Sequence, residues 1–167
     1  METKNKTQVV KDFKKKSILI SREFNAPVAN VWRAYTESEL LGQWWAPSPW
    51  RAETKVMNFS VGGYWLYAMV SPEGEKHWGR MNYIAIDNHK SFDIQDSFCD
   101  ENGNINTDLP VSKGQMSFTE TKNGTLVEFK MTYPIEADLQ KILEMGFEQG
   151  ITTCLDQLEN LFDQNKI

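Results

Sequence analysis

The spacing of hydrophobic positions changes several times along this chain, and each change marks an expected element. From Lys16 to Phe24 (Lys-Ser-Ile-Leu-Ile-Ser-Arg-Glu-Phe) the residues are β-branched and partly alternating, which predicts a strand ending at Asn25. Asn25 and Pro27 then supply a turn and a helix start, and Val28, Val31, Trp32 and Tyr35 recur at helical spacing to about Thr36. A second short helix carries Glu39, Leu40, Leu41 and Gly42 into Trp44-Trp45, and Pro47 and Pro49 prevent its continuation.

The middle of the chain reads as six strands: about Ala52 to Phe59, Gly63 to Val70, Lys76 to Ile86, Ser91 to Phe98, Lys113 to Glu120 and Thr125 to Tyr133. Pro72-Glu73-Gly74, Asp87-Asn88-His89 and Asn123-Gly124 are hairpin-type joints, because Gly and Asn tolerate the positive φ of tight turns. An antiparallel meander follows. In the last strand Thr125, Val127, Phe129, Met131 and Tyr133 share one face against the more polar Leu126, Glu128, Lys130 and Thr132. Trp65, Tyr67 and Met69 share a face in the same way, as do Phe92, Ile94 and Phe98, so the inner face is expected to be rich in aromatics and methionine.

Beyond Pro134 the pattern predicts one long helix from Ala137 to about Phe162, with Leu139, Ile142, Leu143, Phe147, Ile151, Cys154, Leu155, Leu158 and Leu161 on a broad stripe. Such a helix can lie across a curved sheet and bury both apolar faces at once. Gly146 and Gly150 interrupt it at a cost of about 1 kcal/mol each relative to alanine. Two readings stand: a tryptophan or strand packs against a glycine notch, or the notch leaves room for a ligand.

Composition narrows the class. The 167 residues suit one domain, with residues 1–15 expected as a flexible polar arm and 16–167 as the folded unit. The 20 aromatic residues, six of them Trp, supply ample core material. A net charge of −5 repels a phosphate backbone, so nucleic acid is not an expected partner, and the basic run Lys11 to Lys16 reads as part of a solvated arm. No stretch is apolar enough for a signal peptide or a membrane span, so a cytoplasmic protein without stable membrane insertion is expected. Cys99 and Cys154 fit no CxxC pattern and read as reduced thiols.

Candidate chemistry is sparse. No cofactor, metal or nucleophile motif occurs, and the Asp100, Asn102 and Asn104 triplet lacks the glycine and glutamate of a calcium loop. His77 heads a strand and is expected to be structural or exposed. Asp93 and Asp96 face opposite ways. Asp96 shares the apolar parity, so it either sits at a rim or faces inward with a partner such as Arg80, a Lys or a Tyr.

Several motifs together resemble a known family: Phe24-Asn25-Ala26-Pro27 with Val31-Trp32 and Thr36, Leu41 with Trp44-Trp45-Ala46-Pro47, and Gly62-Gly63. Asp96-Ser97-Phe98-Cys99-Asp100-Glu101-Asn102-Gly103 and Met145-Gly146-Phe147-Glu148-Gln149-Gly150 with Leu155 and Leu158 extend the likeness over about residues 17–162. The chain resembles the START-like helix-grip (SRPBCC) superfamily, in the branch similar to the C-terminal domain of the activator of the heat-shock-protein-90 ATPase. That resemblance implies an α+β fold in which a curved antiparallel sheet grips the C-terminal helix around a cavity that in many relatives admits an apolar molecule or lipid. Carried onto this sequence, it implies a cavity wall of Trp45, Trp65, Tyr67, Met69, Met81, Tyr83, Phe92, Phe98, Phe118, Phe129, Met131, Leu143, Phe147 and Ile151.

The leading expectation is a non-enzymatic binding protein for an apolar or amphipathic small molecule or lipid, with no cofactor. A second is a co-chaperone-like module that contacts a chaperone or self-associates through exposed Trp44, Trp50 or Trp78. The co-chaperone of that branch has a further N-terminal domain for which this length leaves no room, so ATPase activation is not expected. A third is a cyclase or hydrolase, for which His77 and Asp96 are the groups to mutate.

Overall fold

Alternating inward and outward side chains carry much of the chain into a single sheet. In the computed structural model, which describes residues 6–167, the elements are β1 (Gln8–Asp12), β2 (Ser17–Phe24), α1 (Val28–Thr36), α2 (Ser38–Leu41), β3 (Arg51–Met57), β4 (Tyr64–Val70), β5 (Lys76–Asp87), β6 (Ser91–Phe98), β7 (Ser112–Glu120), β8 (Thr125–Thr132), α3 (Glu136–Glu144) and α4 (Phe147–Asp163). The eight strands form one antiparallel sheet in the order β1-β2-β8-β7-β6-β5-β4-β3. The expected α+β helix-grip architecture is present, with the C-terminal helices on the inner face.

Two elements depart from expectation. Residues 8–12, expected within a flexible arm, form edge strand β1, paired from Gln8↔Ser21 to Asp12↔Ser17. An edge strand with one neighbour needs little apolar content, which is why its polar sequence read as an arm. Lys11, from the run expected to be solvated, pairs with Glu148 at 3.2 Å. Residues 1–5 of the expected arm lie outside the described residues.

The single long helix is two. Gly146 has φ +87° and separates α3 from α4, a left-handed conformation that glycine adopts without the penalty of a Cβ. Nothing approaches the glycines closely, contrary to the packed-notch reading: a Cβ built on Gly146 or Gly150 meets no atom within 4 Å.

Helix α4 is fastened to the sheet by polar contacts. Arg22, only 2% exposed on β2, donates from Nη1 to Asp156 Oδ1 at 2.7 Å and lies 3.1 Å through Nη2 from Glu159 Oε2. A buried guanidinium is tolerable because these carboxylates neutralise it. Gln157, also on α4, donates through Nε2 to the carbonyls of Trp44 (3.2 Å) and Ala46 (2.9 Å), and its Oε1 accepts from Ser48 N–H at 2.7 Å. The segment after α2 is thereby held against the last helix.

The core divides along the sheet. Beneath α1 the rings interlock: Trp32 stands edge-on to Phe59, Phe92 and Phe118 with centroids 5.8, 5.7 and 5.0 Å away, and Phe59 meets Tyr83 at 4.7 Å. Tyr35 packs on Trp44 at 4.8 Å and Phe118 at 5.2 Å. Under the α3–α4 junction the same inner face is open.

Candidate functional site

The open half is a cavity of about 420 Å³, within the usual size for small-molecule sites. Its floor comes from β4, β5, β6, β7 and β8, one wall from the segment after α2, and its roof from α3 and the start of α4.

Of the fourteen wall residues the resemblance implies, Trp45, Tyr67, Met69, Phe98, Phe129, Met131, Phe147 and Ile151 border the cavity. Trp65, Met81, Tyr83, Phe92 and Phe118 are buried core side chains, and Leu143 packs against that core from α3. The five sheet residues have inward parity, so alternation alone gave no reason to separate them. What separates them is position: Phe92, Phe118 and Tyr83 lie under α1, where aromatic partners fill the space.

Trp45 and Tyr67 form the inner wall. Tyr67 stacks on Trp65 with centroids 4.0 Å apart and planes 21° from parallel, while Trp45 stands edge-on to Trp65 at 5.6 Å. Gly79 makes the Tyr67 position possible, since a Cβ there would lie 2.8 Å from the phenol ring. The Trp45 indole N–H is buried beside the Tyr67 phenol, whose pKa it lowers against the larger opposing effect of burial. Lining residues absent from the expected wall include Pro47, Trp50, His77, Asp96, Ser112, Tyr133, Ile142, Gly150 and Cys154. The proline pair and the glycine pair were the only sequence signals for Pro47 and Gly150.

Asp96 is the site's distinctive polar group. It faces inward on β6, between Met81 of β5 and Ser112 of β7 in the ladder. The rim position is not what the structure shows, and neither is a pairing with Arg80. That arginine faces the other side of the sheet, stacked 4.0 Å over Tyr64 and bonded to Asn82 Oδ1 and Gly103 O. Burial pushes the Asp96 carboxyl up to about 7, offset in part by the Ser97 backbone N–H. The residue is half-buried and lines the cavity. The Tyr67 and Tyr133 phenols are in electrostatic reach of it, and burial raises both well above the ordinary tyrosine range. Burial likewise raises the Cys154 thiol to about 12, making it an inert wall.

The other candidates are elsewhere. His77 is exposed at the cavity mouth, 3.0 Å from Glu75 and edge-on to Trp50 at 5.2 Å, and no hydrogen bond or ion pair joins it to Asp96. Trp44, expected as an exposed contact, is fully buried, with its indole N–H donating to Ala34 O at 3.0 Å. Trp50 and Trp78 are half-buried at the mouth, Trp78 with the Lys55 and Lys76 ammonium groups each 5.8 Å from its ring. The Asp100 loop is closed on itself: the carboxylate accepts from the Asn102 and Asn104 backbone N–H groups and from Asn104 Nδ2, and these bonds hold its pKa below the usual range. Among the described residues no acidic, His or Cys cluster could hold a metal ion, and no helix is long and apolar enough to cross a membrane.

Comparison with known proteins agrees with this architecture. Residues 25–163 match the family described as activator of Hsp90 ATPase homolog 1-like protein. Protein Ms6760 from Mycobacterium smegmatis is 35% identical over 93% of this chain and 95% of its own, with a TM-score of 0.86. A protein from Arthrobacter aurescens is 30% identical over 94% of this chain and 91% of that one, with a TM-score of 0.88. For one from Staphylococcus epidermidis the figures are 30% identity, 95% and 94% coverage, and a TM-score of 0.82. No curated protein matches the chain. Family match and fold together show that the chain belongs to the family of activator of Hsp90 ATPase homolog 1-like proteins, with their helix-grip fold.

Proposed function

We propose that this protein is a binding protein that holds an apolar or amphipathic small molecule in its interior and releases it unchanged. The observation that carries the reading is the cavity of about 420 Å³ between the sheet and the α3–α4 junction, walled largely by aromatic rings and methionines. Apolar surface of that kind gains about 25 cal/mol for each Å² it shares with a ligand instead of water. Asp96 at the cavity surface favours binding over catalysis, because no second acid or base is hydrogen-bonded to it.

Nile red, a neutral dye that brightens in apolar surroundings, tests the reading directly. The wild-type chain is expected to bind one dye per molecule, confirmed as a 1:1 complex by native mass spectrometry. Gly150→Phe projects a ring into the space beneath α4 and is expected to weaken dye binding at least tenfold while the protein stays folded. Wild-type protein that leaves the dye dark, or a Gly150→Phe variant that binds as well as wild type, overturns the proposal.

A further inference from the structure

We infer that the cavity selects amphiphiles whose polar end is a protonated amine, with the Asp96 carboxylate as its counter-charge, and disfavours fatty-acid-like carboxylates of the same length. The inference rests on the binding-protein reading above.

Charge distribution is the first ground. Asp96 is the one carboxylate among the lining residues, and none of them is Lys or Arg. Of the two Lys and Arg side chains on the same strand pair, Arg80 is committed to Tyr64 and Gly103 on the opposite face, and Lys76 lies over the Trp78 ring at 5.8 Å. His77 stands at the mouth already beside Glu75. A ligand carboxylate would therefore enter without a counter-ion and next to a like charge, so that one of the two acids would have to stay protonated.

Unused bonding capacity is the second ground. Among the described residues no side chain donates a hydrogen bond to the Asp96 carboxylate, whose own support is the Ser97 backbone N–H. A carboxylate away from bulk water gains most from a charged donor. An ammonium group has three N–H donors and can use a phenol oxygen of Tyr67 or Tyr133 alongside the carboxylate. The faces of Trp45, Tyr67 and Phe129 attract cations as well.

A pH dependence follows. Burial holds the Asp96 carboxyl up at about 7, and an amine that stays protonated binds the ionised form. Titratable groups in electrostatic reach of Asp96 are Tyr67 from β4, Cys99 just beyond β6 and Tyr133 beyond β8, with Cys154 of α4 across the cavity; burial raises the pKa of all four. His77 from β5 is the remaining titratable lining group; α3 contributes only Ile142, and Met145 follows it at the junction with α4.

Displacement of Nile red by decylamine, decanol and decanoate, each below its micelle concentration, separates the possibilities. At pH 8.0 decylamine is expected to displace the dye at a concentration at least tenfold lower than decanoate, with decanol between them. Its advantage should shrink severalfold at pH 6.0, in wild type and in His77→Gln alike. Asp96→Asn, which keeps the shape and removes the charge, should bring decylamine and decanoate within about twofold while decanol changes little. Decanoate matching decylamine on the wild type, or an amine preference that survives Asp96→Asn, overturns the inference and leaves the cavity reading standing. Failure of the dye and of all three amphiphiles overturns both.

Discussion

Asp96 shows at the residue scale how a polar group is placed against the grain of its surroundings. Parity along β6 was enough to predict that it shares the face of Phe92, Ile94 and Phe98. Parity could not say whether the neighbouring space was filled, and that decides between a rim residue and a cavity group. The same ambiguity affected Trp44, whose burial comes from the Tyr35 ring and the Ala34 carbonyl, contacts that the prolines beyond it do not foretell. The burial of Asp96 has a measurable cost. Its folded pKa of about 7 lies above the unfolded value of 3.8, so the native state holds the proton more tightly. Stability from this group is fully present below the unfolded pKa and is lost as pH rises towards and through about 7. Removing the ionisable group should therefore help only at high pH. Asp96→Asn is expected to stabilise the empty protein at pH 8 by roughly 1–3 kcal/mol, allowing for solvent in the cavity, and to raise Tm by roughly 3–9 °C. At pH 4 the two melting curves should nearly coincide. An equal gain at both pH values would mean that the carboxylate is not the source.

At the element scale, the two glycines of the C-terminal region have opposite roles that spacing alone did not separate. Gly146 is required by its positive φ, and the chain turns there between α3 and α4. Gly150 sits inside α4 with open space where a Cβ would be, so its contribution is cavity volume instead of close packing. Hydrophobic periodicity ran through both because Ile142, Leu143, Phe147 and Ile151 all turn toward the sheet, whichever helix carries them. Alanine substitutions distinguish the roles. Gly146→Ala is expected to destabilise by about 1 kcal/mol, since the left-handed region disfavours a Cβ. Gly150→Ala is expected to stabilise by up to about 1 kcal/mol through helix propensity, read in each case as the midpoint of urea denaturation. A shift of the same sign in both variants would contradict this assignment. Strand β1 shows the reverse limitation: its pairing with β2 is a tertiary fact that a polar five-residue segment does not announce.

Across the whole molecule the inner face of one sheet serves two ends. Order of elements, hairpin joints and inward faces were legible because alternation and turn chemistry are local; the division of the core was not, because it depends on which helix covers which strands. Under α1, Trp32, Phe59, Phe92 and Phe118 fill the interior with ring against ring. Under the α3–α4 junction, Gly146 and Gly150 withhold side chains and the same sheet is left open. On the binding reading proposed above, the filled half holds the sheet's curvature while the open half takes up ligand, so stability and binding should separate by position. Phe92→Leu, in the filled half, is expected to lower stability by about 1–2 kcal/mol yet leave the Nile red Kd within twofold. Ile151→Ala, at the half-buried roof, should cost less stability and shift the preferred amine toward longer chains, because it lengthens the space beneath α4. Denaturation and dye displacement on the same two proteins decide the matter: a Phe92→Leu variant that loses dye affinity in proportion to its lost stability would mean that the two halves are one cooperative core.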